Sequence, residues 1–217
     1  MADRNLPISR IPILRGWQRR IRKRRLEQFV DCLGVTPEER ILDVGGTVFT
    51  WITPETNRLR AVLLNLTAPP LDEDLRGRLE SLAGDACDLG FPDGEFDIVY
   101  SNSVIEHVGT YENQERMARE LRRVGRRLWI QTPARSFFFE PHYVTPFIHW
   151  LPKRLRRRIV RWGTLWGLVK RPSRERVEEM INELRLLSFD EMKTLFPDCE
   201  IRREKLLGMT KSFIAVR

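Results

Sequence analysis

The chain has 217 residues, 41% hydrophobic and 31% charged, with a formal net charge of +8. That length and balance give one domain with a substantial core and argue against wholesale disorder. No run of 18 apolar residues spans a membrane, and Cys32, Cys87 and Cys199, odd in number and in no metal-ligand spacing, argue against a disulfide framework and for a reducing, cytoplasmic setting.

Residues 1–25 hold nine Arg or Lys and one acid. They read as a basic arm or helix ahead of a domain over residues 26–217. The start has no apolar stretch of the signal-peptide kind, and its Arg-rich, acid-poor composition leaves a transit-peptide reading open. Ile41-Leu42-Asp43-Val44-Gly45-Gly46-Thr47 then reads as a buried strand that ends in a carboxylate and a glycine turn. Glycine has no side chain to keep a bound cofactor from the backbone. Asp43 would repel a nucleotide pyrophosphate. S-adenosylmethionine has no phosphate and carries a sulfonium and an α-amino group, so it tolerates the charge.

Arg60 to Leu64 is a short β-rich run. Asn65 follows it, where nucleotide-binding α/β folds place an acid for the ribose hydroxyls. Gly84-Asp85-Ala86 precedes the turn-rich Leu89-Gly90-Phe91-Pro92-Asp93-Gly94. Phe96-Asp97-Ile98-Val99-Tyr100 is a buried strand by composition, broken by Ser101-Asn102-Ser103. The spacing of Met117, Leu121 and Val124 predicts a helix over 112–124. Arg127 to Gln131 is a further strand, stopped by Thr132-Pro133. Phe189 to Phe196 reads as a short helix with Ser188 as N-cap, followed by strands around 200–205 and 210–216 with Gly208 between them.

These pieces, in this order, resemble a class I S-adenosylmethionine-dependent methyltransferase, and the resemblance covers roughly Leu26 to Arg217. It implies an α/β fold: a doubly wound, mostly parallel seven-stranded sheet with an antiparallel last strand, here with a basic helical lid inserted over 134–176. It implies S-adenosyl-L-methionine as cofactor, with Gly45 and Gly46 lining its methionine part. Asp85 would accept from the adenine amino group, and the Ala86 backbone N–H would reach a ring nitrogen. Ser101 and Asn102 would face the methionine and the acceptor. Asp43 completes the first motif, in which Thr47 stands at the family's second glycine. Asn65 replaces the family's acid, and if it serves the ribose, an Asp or Glu there keeps or tightens binding.

The acceptor motifs are thinner. The Asn/Asp-Pro-Pro-aromatic tetrad of adenine and glutamine N-methyltransferases is absent, as is the Pro-Cys pair of cytosine methyltransferases. O-methyl transfer needs only orientation and a base. The candidate base is His142, with Glu140 to orient it, in Phe137-Phe138-Phe139-Glu140-Pro141-His142-Tyr143 after the fifth strand. His107 lies beside the methionine pocket by resemblance. Quinone-biosynthesis relatives place a divalent metal on Glu-x-x-Glu-His at this point, but Ser103 occupies the first position, so no metal is expected.

Residues 150–176 carry ten Arg or Lys and one acid, so a net-acidic domain bears two basic segments. Four of the six tryptophans, Trp17, Trp150, Trp162 and Trp166, lie in or beside them. Leu151, Leu155, Ile159, Trp162, Trp166 and Val169 recur at helical spacing, with Gly163 and Gly167 as weak points. Three explanations compete: a lid helix with solvated arginines, an interfacial helix on anionic lipid, and nucleic-acid binding. The tryptophan–arginine pairing favours lipid over RNA. The expectation is therefore methyl transfer to a small-molecule or lipid- or glycan-linked acceptor, at an oxygen, by a cytoplasmic protein peripheral at the membrane. An RNA methyltransferase and a non-catalytic cofactor-binding scaffold are the alternatives. The acceptor and the oligomeric state stay open.

Overall fold

Consecutive apolar residues in a strand point to opposite faces of its sheet, so a strand apolar throughout must be covered on both sides. The computed structural model, which describes residues 12–217, shows this for β1 (Arg40–Val44), β2 (Arg60–Asn65), β4 (Phe96–Asn102) and β5 (Gly125–Pro133). With β3 (Leu79–Ala83), β8 (Glu200–Leu206) and β9 (Met209–Val216) they form a seven-stranded sheet in the order β3-β2-β1-β4-β5-β9-β8. Neighbouring strands from β3 to β5 are parallel; β9 is antiparallel to both β5 and β8. The expected sheet, with its antiparallel last strand, is the one observed.

One face is covered by α1 (Pro12–Leu33) and the short α2 (Val48–Trp51). Leu26, Phe29 and Trp51 pack there on Ile41, Ile98, Tyr100 and Trp129. Phe29 meets Tyr100 edge-on at 4.8 Å between ring centres. The other face is covered by α3 (Tyr111–Val124) and α7 (Phe189–Leu195), whose Met117, Leu121, Val124 and Met192 pack on Leu42, Val99 and Leu128. The caps of both helices are local in sequence. Thr110 Oγ1 accepts from the Asn113 N–H at 3.2 Å, and Ser188 and Glu191 form a reciprocal capping box.

The basic arm expected over 1–25 and the domain expected from 26 meet inside α1. Residues 1–11 and the Trp17 side chain lie outside the described residues. Among the described residues, no helix is long and apolar enough to cross a membrane.

Between β5 and α7 come β6 (Phe139–Glu140), β7 (Thr145–Pro146), a 3-10 turn over Ile148–Trp150, α4 (Lys153–Gly163), α5 (Leu165–Lys170) and α6 (Arg174–Glu183). These share a separate small core of Tyr143, Ile148, Val160, Trp166, Val177 and Ile181. The apolar stripe expected along a single helix is broken. Thr164 Oγ1 donates to the Val160 carbonyl at 2.6 Å and accepts from the Gly167 N–H at 3.0 Å, ending α4 and starting α5. Gly167 lies against the α4 carbonyls of Val160 and Arg161, where a Cβ would not fit. The break turns Val160 and Trp166 inward and leaves Leu155, Trp162, Leu168 and Val169 outside.

Candidate active site

The carboxyl ends of the parallel strands form one rim, the usual place for a ligand in an open α/β sheet. Parallel register aligns Val44 with Leu64 and with Ser101, and Asn65 with Ala83. The glycine turn, Asn65, the loop through Asp85 and Ala86, and Ser101-Asn102 thus stand side by side. The structure brings together all the cofactor residues expected from sequence.

The turn after β1 is tight. Gly45 has φ +76°, and the Gly45 N–H donates to the Leu64 carbonyl at 2.8 Å. A Cβ on Gly45 would overlap Val104, and one on Gly46 would overlap the Asp43 carboxylate. Asp43 is buried and accepts from the Trp51 indole N–H at 2.7 Å, which ties β1 to α2. Thr47 is the extended N-cap residue of α2. Asn65 is also buried, and its amide donates to the Gly46 carbonyl at 2.9 Å. A carboxylate could not make that bond, because it only accepts when ionised. Asp85 is exposed and accepts from the Cys87 N–H at 2.9 Å, while Ala86 packs at the edge of the core. The bare glycine backbone fits a cofactor that needs close main-chain approach without phosphate.

On the β4 side, buried Ser101 donates to the Val44 carbonyl at 3.2 Å. Asn102 Oδ1 accepts from Arg25 Nη1 at 3.2 Å. Arg25 was not foreseen as a site residue. It reaches from α1 into the rim, where it also donates to Gln131 Oε1 at 3.2 Å, Ser212 Oγ at 3.1 Å and Glu204 Oε2 at 2.6 Å. Burial alone would raise the Glu204 carboxyl, but the bonds and charge of Arg25 hold it at about 2. The sequence signal was available: Arg25 stands one residue before Leu26 and one turn before Phe29, on the inward side of its helix.

The acceptor side gathers residues from three segments. A 3-10 turn over Ile105–His107 follows β4 and carries Glu106, which is wholly buried. Glu106 Oε2 accepts from Thr132 Oγ1 of β5 at 3.0 Å, and Glu106 Oε1 has no hydrogen-bond partner among the described residues. Burial raises the Glu106 carboxyl, with the charge of His142 opposing. The His107 and His142 rings meet edge-on, Nε2 to Nε2 at 3.0 Å. His142 Nδ1 lies 2.6 Å from Oε1 of buried Glu140, whose Oε2 accepts from the Tyr143 N–H at 2.7 Å. Burial pulls the His142 pKa down, but Glu140, by charge and hydrogen bond, and the charge of Glu106 raise it overall.

All three residues expected to act on the acceptor, His142, Glu140 and His107, are therefore in contact. Glu106 was missed as a functional group because its neighbours in sequence say nothing of Thr132 or His142. Glu106, His107 and His142 bring ligand-type atoms within 4.8 Å of one another, so this trio could hold a cation. His149 stands apart, 3.0 Å from the Arg135 carbonyl.

The methyltransferase domain family model matches residues 42–127. No curated protein matches the chain significantly by sequence. Among solved structures, the chain is similar to magnesium protoporphyrin IX methyltransferase from Synechocystis with bound SAH. That pair has a TM-score of 0.54 and 13% identity, over 92% of this chain and 83% of that one. It is also similar to a putative sarcosine dimethylglycine methyltransferase from Galdieria sulphuraria, with a TM-score of 0.55 and 14% identity over 88% and 65% of the two chains. A protein from Rhodobacter sphaeroides described as a putative Zn-dependent alcohol dehydrogenase matches at a TM-score of 0.55 and 12% identity, over 89% and 87%. Such distant likeness carries the fold and not the substrate. The match to a methyltransferase domain family model over 42–127, on a sheet of this order with its glycine turn, supports a class I S-adenosylmethionine-dependent methyltransferase with S-adenosylmethionine as cofactor.

Proposed function

We propose that the protein methylates an oxygen of a small-molecule or lipid- or glycan-linked acceptor. The observation that carries this reading is the line Glu140–His142–His107, built from the segments that follow β4 and β5. S-adenosylmethionine supplies a methyl group already activated on sulfonium, so the chain's own task is orientation and removal of one proton. The Gly45-Gly46 backbone would hold the methionine part, Asn65 and Thr47 would lie toward the ribose, and Asp85 and the Ala86 N–H would meet the adenine.

Glu140 keeps a proton on His142 Nδ1 and so leaves Nε2 to accept the acceptor's proton. His107 Nε2 stands at that atom here, and in the productive complex the acceptor hydroxyl takes over the contact. The exposed ring of His107 borders an open cleft whose far wall is α6, a path for the acceptor. The segment 134–176 acts as the lid over this end. The three free cysteines suit a reducing compartment such as the cytoplasm.

Cell extract incubated with the protein and isotopically labelled cofactor tests the reading by mass spectrometry. Label is expected in a small or lipid-extractable hydroxyl compound. Label in RNA instead would make it an RNA methyltransferase. Cofactor binding without label anywhere would make it a scaffold. A chelator is expected to leave the rate unchanged; a rate lost to it and restored by a divalent cation would turn Glu106, His107 and His142 into a metal centre.

A further inference from the structure

Five of the six cations of α4 fall into two groups, while the sixth, Arg156, faces Tyr143. Arg157 makes a bidentate pair with Glu178 of α6, both bonds at 2.6 Å, and Lys153 reaches Asn182 of the same helix at 3.5 Å. Arg154, Arg158 and Arg161 lie elsewhere on the helix, alongside Leu155 and Trp162. Leu155 and Trp162 are seven residues apart and stand one above the other. They are 40% and 67% exposed, while Val160 on the opposite side is buried. Arg161 lies over the Trp162 ring at 5.0 Å, and Glu175 of α6 is near enough to feel its charge. From Lys153 to Lys170 the chain contains no acid.

The exposed apolar surface continues on either side in sequence. Leu168 and Val169 of α5 are 53% and 45% exposed. Before α4, Phe147 and Trp150 are exposed, in ring contact at 5.3 Å. Phe147 holds φ +62°, a left-handed conformation that bulky residues avoid. Trp150 turns its indole N–H inward to the Arg135 carbonyl at 2.8 Å, which leaves its ring half outside.

We propose that the outward face of α4, with Leu155 and Trp162 flanked on one side by Arg158 and Arg154 and, farther round, by Arg161, docks on an anionic lipid bilayer. Arginines meet the headgroup charge while the indole and leucine enter the boundary between headgroups and chains. A second copy of the chain docking by this same face would bring like charge to it. Single-stranded RNA would use the arginines and the indole, but exposed Leu155, Leu168 and Val169 would find nothing apolar there to cover them. The docking goes beyond methyl transfer and does not depend on it.

The full chain is sedimented with phosphatidylcholine vesicles, with and without phosphatidylglycerol. Binding to the anionic vesicles is expected to exceed binding to neutral ones at least tenfold. Arg154→Gln/Arg158→Gln/Arg161→Gln together should weaken it roughly a hundredfold, about fivefold for each cation near the surface. Trp162→Ser should weaken it severalfold at high salt as well as low. In the unmodified protein, hydrogen exchange over 153–170 should slow when anionic vesicles are added, a readout that needs no variant. The proposal is overturned by unslowed exchange there, or by no anionic-vesicle binding at low salt. Variants that keep full binding would also overturn it, by moving the contact elsewhere on the chain. So would single-stranded RNA binding that the arginine variants abolish, without vesicle binding.

Discussion

Along the β1–β3 side of the rim, polar side chains hold backbone or a neighbouring helix: Asp43 takes the Trp51 N–H, Asn65 the Gly46 carbonyl, Asp85 the Cys87 N–H. Along the β4–β5 side they hold one another: Arg25 with Glu204, Glu140 with His142, His142 with His107. The first side is tied into the scaffold, and on the proposed reading its main chain would meet the cofactor. The second concentrates ionisable groups where burial magnifies their interactions. Chemistry and acid sensitivity should therefore sit on the second side, and cofactor affinity on the first.

The largest test of that division is His142→Ala. It should lower turnover a hundredfold or more, while S-adenosylhomocysteine still raises the melting temperature as in the unmodified protein. The pH profile sharpens it. A base works deprotonated, so the rate should rise with pH through a midpoint above 6.5, the ordinary histidine value, because Glu140 outweighs burial. Glu140→Gln should move that midpoint down. An unchanged rate in His142→Ala, with an assigned acceptor, would reduce His142 to a structural residue.

Arg25→Gln comes next. It removes the guanidinium from Glu204, which keeps Lys211 and the Ser212 hydroxyl as partners, and should cost about 2–4 kcal/mol in a urea melt at neutral pH. Glu204 is held below its ordinary 4.5, at about 2, so it stabilises the fold above 4.5 and that contribution fades as pH falls toward 2. Arg25→Gln should flatten this part of the acid profile. If the two proteins lose stability in parallel between those values, the pair contributes little.

On the cofactor side the effects should be smaller in stability and larger in affinity. Gly46→Ala should cost about 1–3 kcal/mol and remove most of the thermal shift given by S-adenosylhomocysteine. Because the added methyl meets the Asp43 carboxylate, Asp43→Ala in the same protein should return part of the stability. Simple additivity of the two losses would refute that cause.

The smallest effect should come from Asn65→Asp. Sequence reasoning expected an acid here to keep or tighten cofactor binding. The bond from the Asn65 amide to the Gly46 carbonyl reverses the sign, since an aspartate would set one acceptor against another. A loss of about 1 kcal/mol, with a weaker cofactor shift, is expected. A larger cofactor shift would restore the ribose role as the dominant one.

Much of this architecture was legible in the chain because its causes are local. The β1, β2, β4 and β5 segments are apolar runs, and the α7 capping box needs only Ser188 and Glu191. β3 was not legible: it is an edge strand with Leu79 as its one buried residue, so its composition carries little strand signal. The helix expected through 151–169 had the right period, but the period cannot register that Gly167 backs onto the α4 carbonyls or that Thr164 caps both helix ends.

By itself the sequence determined the apolar strands β1, β2, β4 and β5 in their order, the glycine turn behind Asp43, the uneven charge and the presence of Glu140 and His142 after the fifth strand. These follow from period, turn chemistry and composition, which act over a few residues. Only the tertiary structure decided what those side chains do. It set Asp43 on Trp51, carried Arg25 across to Asn102 and Glu204, and closed His142 between Glu140 and His107. Each of those pairings depends on distance and burial, and a buried polar group must take whatever partner the fold brings within about 3 Å.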